Sequence, residues 1–115
     1  MAQSFTCVVE AGASELHAYL RQRMGHVEKI SEDTFSGENH YVTVLMYEQY
    51  FWRVGNQVSL MIIIAGMGPG RSRLKTVSCG SSQGMIFKFD LGAAGDFARE
   101  PINYVQEKYK ITWQQ

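Results

Sequence analysis

Arg71, Arg73 and Lys75 alternate along the chain, as do Met46, Glu48, Tyr50 and Trp52. Spacing of two puts each set on one side of an extended strand. Brought together with Met61, they would form a surface of aromatic rings, thioethers, one acid and three cations. Trp, Tyr, Met and Arg are the types enriched where proteins meet other proteins. The same groups allow a catalytic reading. Glu48 would be a base with its pKa raised by apolar neighbours, an Arg an electrostatic clamp, and His40 or a cysteine a nucleophile or acid. No triad, nucleophile elbow or paired carboxylate is set by spacing, so catalysis ranks below binding.

Other patterns carry less chemistry. Gly66-Met67-Gly68-Pro69-Gly70 is rich in glycine and precedes cations. A phosphate loop needs a helix N-terminus after it, and residues 71 onward alternate like a strand instead. His17, His26 and His40 show no four-residue pairing of the kind metal sites use, so no metal and no cofactor is expected. Cys7 and Cys79 are isolated and read as two small buried thiols in a reducing cytosol. A disulfide would require their strands to be neighbours.

The elements that position these residues follow from periodicity and turn chemistry. A strand is expected over 4–10 and a helix from Ser14 as N-cap to Gly25 at C′, with Leu16, Leu20 and Met24 as its apolar stripe. A polar strand over 27–35 suits a sheet edge. A hairpin over 41–67 turns at Gly55-Asn56, and a strand covers 71–79. Residues 80–84 form a loop, and 85–91 alternate as a strand carrying Met85, Phe87, Phe89 and Leu91. A final helix starts at Pro101, or kinks there, with Ile102, Val105 and Tyr109 facing inward. The expected order is β-α-β-β-β-β-β-α: an α+β domain spanning 1–115, a mostly antiparallel meander of five or six strands with two helices on one face.

Hairpin register assigns the faces. Leu45, Tyr47, Gln49, Phe51, Arg53, Val58, Leu60, Ile62 and Ile64 share the aliphatic face expected under the helices. Val44, Met46, Glu48, Tyr50, Trp52, Gln57, Ser59, Met61, Ile63 and Ala65 share the other. An even loop after Ile64 would bury Arg71, Arg73 and Lys75 beneath the helices, at a cost far above that of a bent glycine loop. An odd loop is therefore expected, with the cations on the outer face.

Eleven bases balance eleven acids in 115 residues, with 45% hydrophobic and 19% charged. A neutral chain has no long-range field to recruit nucleic acid or an anionic membrane; phosphate contacts from Arg71, Arg73 and Lys75 would be steeply salt-dependent. Neither a secretory leader nor a spanning segment is read in it, and the expected setting is the cytoplasm. The element order resembles the TATA-binding-protein half repeat and helix-grip domains, and the length resembles a small uncharacterised bacterial family. The resemblance implies a partner bound on the open sheet face or in a cavity under the C-terminal helix. The leading expectation is a non-catalytic binding or assembly module using the outer face, with itself as a homodimer or with another protein. The alternative is a pocket for a small apolar or anionic ligand lined by Phe87, Phe89, Tyr104, Tyr109 and Trp113.

Overall fold

The structure is a computed structural model that describes residues 2–52, 55–80 and 87–114. In chain order its elements are β1 (Ala2–Val9), α1 (Ala13–Arg23), β2 (Glu28–Ser36), β3 (Tyr41–Phe51), β4 (Asn56–Gly66), β5 (Ser72–Gly80), α2 (Phe87–Gln106) and β6 (Ile111–Gln114). All six strands join one antiparallel sheet ordered β2-β3-β4-β5-β1-β6. The α+β class, the antiparallel sheet and the pair of helices are as the sequence leads one to expect. Among the described residues no helix is long and apolar enough to cross a membrane.

The order differs at the C-terminal end. Residues 85–91 are expected as a strand, yet α2 begins at Phe87. A short apolar run fits either period, and here the helical one prevails. The helix runs through the small residues 92–95, where Gly95 faces the Gln3 side chain, and Pro101 sits inside it. Proline has no N–H for the Phe97 carbonyl and crowds that turn. In the same turn the buried Thr76 hydroxyl donates to the Ala98 carbonyl at 2.9 Å. The expected helix also reaches Tyr109, whereas α2 stops at Gln106 and Ile111–Gln114 pairs with β1. Ile, Thr and Trp suit a half-buried strand, and pairing covers an edge β1 would otherwise expose. The order is thus β-α-β-β-β-β-α-β, a meander only from β2 to β5. Residues 53, 54 and 81–86, which include Arg53, Met85 and most of the expected 80–84 loop, lie outside the described residues, as do the side chains of Phe87 and Phe89.

Helix α1 begins one residue before the expected cap: Gly12 is the N-cap, without a side-chain cap, and Ser14 lies inside. The β3–β4 turn also differs. Phe51 pairs with Asn56, and Tyr47 pairs with Leu60 rather than with Ile64. Partners move by four positions, an even step, so the paired residues keep their expected faces. Leu45, Tyr47, Val58, Leu60, Ile62 and Ile64 are buried with Leu16, Leu20 and Met24 of α1 and Phe97, Ile102 and Val105 of α2. The β4–β5 loop has five residues, from Gly66 paired with Ser72, with Gly68 at φ 105° and Gly70 at φ 72°. Those angles favour glycine and let the chain take the odd count. Leu74 turns inward; Arg73 and Lys75 turn outward.

Cys7 is buried on the helix-covered face, and its thiol is pushed up to about 11 by burial. Cys79 is exposed rather than buried as expected, on the outer face opposite Ser59. Both are free, and they lie on opposite faces.

Tyr47 is 2% exposed, and among the described residues its hydroxyl has no hydrogen-bond partner. Leu60→Ala is expected to destabilise the protein by about 2–5 kcal/mol. Tyr47→Phe removes an unpaired buried hydroxyl and should be neutral or stabilising by up to about 1 kcal/mol. Urea unfolding at an unchanged m-value compares the two; a Tyr47→Phe loss matching that of Leu60→Ala would contradict the packing described.

Candidate functional site

Both helices cover one face, so among the described residues the other face of the sheet has no element upon it. Strand pairing sets its side chains in rows. One row runs Phe35, Val42, Ala65, Arg73; the next runs Asp33, Val44, Ile63, Lys75; a third runs Ser31, Met46, Met61, Val77. In a fourth, Glu28 and Glu48 are direct cross-strand partners. Tyr50 and Trp52 stand at the β3–β4 end, ring centroids 4.9 Å apart, and Trp52 is 86% exposed. Met46, Glu48, Met61, Arg73 and Lys75 therefore share the face anticipated for them, with Tyr50 and Trp52 at its margin. Arg71 belongs instead to the β4–β5 loop at the other end, where it pairs with Glu10 at 3.4 Å. Phe35, 62% exposed, was absent from the expected set; its polar strand hides one apolar residue at the outward register. Arg73 donates to Gln114 at 3.1 Å, a bond that bridges β1 because the two residues lie on the strands flanking it.

Of the residues proposed for a pocket under α2, Tyr104 and Tyr109 are set apart from Trp113. Tyr104 and Tyr109 lie in the α1–α2 seam, where the Tyr19 hydroxyl donates to the Tyr104 carbonyl at 2.7 Å and the Arg23 guanidinium lies 4.1 Å from the Tyr104 ring. Tyr104 donates to Glu100 at 2.8 Å, and Tyr109 donates to Glu15 at 2.9 Å. Burial, then the hydrogen bond to the carboxylate, pushes each phenol up to about 12. Trp113, on β6, packs edge-on against Phe5 and beside Arg99. The pieces of the catalytic reading are not assembled: Glu48 is on the outer face, and His40 is at the β2–β3 turn. Among the described residues no three His, Cys, Asp or Glu side chains are grouped to hold a metal ion.

A second polar constellation had no local signal. His17, 8% exposed, lies between Tyr41 Oη at 2.6 Å from Nδ1 and the Glu32 carboxylate at 2.5 Å from Nε2. Arg21 and Lys29 also hold Glu32, at 2.8 and 2.5 Å. His17 and Arg21 are four apart on α1 and so point the same way. Lys29 and Glu32 are three apart, which alternation would split between faces. The β2 register shifts between Lys29 and Ser31, and the extra residue returns Glu32 to the helix side. With the carboxylate ionised, Nε2 donates to Glu32, and Nδ1 and the Tyr41 hydroxyl share the second hydrogen bond. Tyr41 also lines an open cleft of about 570 Å³ between the start of α1, the β2–β3 turn and the β4–β5 loop. The arrangement ties α1 to the β2 edge and joins a cleft-lining phenol to that tie.

Burial alone would raise the Glu32 pKa, but hydrogen bonds from Lys29, His17 and Arg21 outweigh it and hold the carboxyl at about 2, against an ordinary 4.5. A depressed folded-state pKa gives stability that is present above pH 4.5 and lost as pH falls toward 2. Solvent screens the exposed Arg21 and Lys29 partners, so Glu32→Gln should destabilise the protein by about 1–2 kcal/mol at pH 7. Denaturant midpoints of wild type and variant should converge as pH approaches 2; a gap that stays constant from pH 6 to pH 2 would contradict this.

No curated protein matches the chain. A family model matches residues 1–109, nearly the full length. By that match, a chain with six strands in one sheet and two helices on one face belongs to the family described as "Family of unknown function (DUF6054)".

Proposed function

We propose that this chain is a non-catalytic binding or assembly module that packs the outer face of its sheet against another protein surface. The observation carrying the reading is the bare apolar centre of that face: Val42, Val44, Met46, Met61 and Ile63 are adjacent across β3 and β4, and both helices lie on the opposite side. A contiguous apolar area of that kind, rimmed by charge, marks interaction sites more often than solvent surface. Trp52, Tyr50 and Phe35 at its margins supply aromatic anchors of the sort that dominate interfaces. Ligand binding under α2 has less behind it, because Tyr104 and Tyr109 are already engaged between the helices.

Methionine oxidation tests the reading without knowledge of the partner. Met46 and Met61 sit on the outer face, Met67 is in an exposed loop and Met24 is fully buried. Relative to Met67 and Met24, Met46 and Met61 should oxidise several-fold more slowly inside expressing cells than in the dilute purified chain. Equal relative rates in the two settings would overturn the proposal.

A further inference from the structure

The charges of the outer face are sorted. Glu28, Asp33 and Glu48 stand on β2 and β3; Arg73 and Lys75 stand on β5. Between the two groups lies the apolar centre of β3 and β4. Among the described residues Glu28, Asp33, Glu48 and Lys75 make no ion pair within the chain. A surface acidic on one side and basic on the other is complementary to itself under one rotation and repulsive under another.

Two copies stacking this face share a twofold axis in the plane between them. Were the axis to run across the strands, β2 would lie over β2 of the second copy and β5 over β5, placing acids on acids and cations on cations. An axis along the strands, between β3 and β4, instead lays β2 over β5 and β3 over β4. The row Asp33, Val44, Ile63, Lys75 then meets itself reversed, so Asp33 faces Lys75 of the second copy at each end. In the neighbouring rows Phe35 meets Arg73 and Met46 meets Met61. Strands stay aligned, as sheets stacked face to face prefer.

Resting on the outer-face reading, we infer that the surface this face takes is a second copy of the same chain, strand-aligned, with Asp33 of each copy against Lys75 of the other. Four strands spanning ~19 Å by ~31 Å give about 600 Å² per copy, some ~1,200 Å² in total, the low end of specific interfaces. The dimer therefore dissociates on dilution.

The test is sedimentation of the full chain over a wide concentration range. Wild type should pass from monomer to dimer, and more weakly as salt rises. Asp33→Lys and Lys75→Asp should each weaken dimerisation about tenfold or more, and the double reversal should recover most of that loss. Arg71→Asp, off the face, is the control expected to change nothing. A wild type that is monomeric throughout overturns the inference, and protection of Met46 and Met61 in cells then decides whether the outer-face reading survives with a foreign partner. A dimer indifferent to the reversals but lost in Met61→Thr/Ile63→Thr overturns the charge pairing and keeps the face. A dimer that survives Met61→Thr/Ile63→Thr overturns both.

Discussion

An extended strand sends successive side chains to opposite faces, and every larger feature of this molecule depends on how its turns count residues against that period. The pairing of Phe51 with Asn56 keeps Leu45, Tyr47, Leu60, Ile62 and Ile64 together. The five-residue loop between β4 and β5 adds Leu74 to them and sends Arg73 and Lys75 outward. One residue more or fewer in that loop would set two cations beneath the helices and Leu74 in water. Burial of apolar side chains at about 1.5–3 kcal/mol each, against the far greater cost of an unpaired buried charge, selects the observed count. Glycines at positive φ make it attainable.

The β2 edge shows the same period being broken on purpose. A bulge at residue 30 lets Lys29 and Glu32 face the same way, where His17 and Arg21 descend from α1. The cluster is a polar seal at the margin of the core, and the strand that carries it is otherwise charged and exposed. Such an edge resists pairing with stray strands. At the opposite edge β6 is only four residues long, which limits the same hazard by shortness.

Between those managed edges the outer face is left open. Its centre is β-branched and methionine-rich, suited to pleated packing, while its charges are segregated by strand. The inner face is committed to two helices whose seam is itself knitted by Arg23, Tyr104, Tyr109 and their carboxylate partners. On the outer side the Arg73–Gln114 bridge over β1 shifts the open area toward β3 and β4.

By itself the sequence determined the α+β class, the strand–helix–strand start, the four central strands and the division of their side chains into two faces. Alternation and turn parity are local properties, legible from neighbours two residues apart. That is also why a mistaken turn at Gly55-Asn56 did no harm to the faces. Only the tertiary structure decided the C-terminal quarter, where residues 87–91 fit both periods and Ile111–Gln114 becomes a strand because β1 offers it an edge. It likewise placed Arg71 against Glu10 and joined His17 to Glu32 and Tyr41, 15 and 24 positions away. Those contacts arise from a bulge and from the docking of α1 on the sheet, and no spacing along the chain encodes where two separately formed elements will meet.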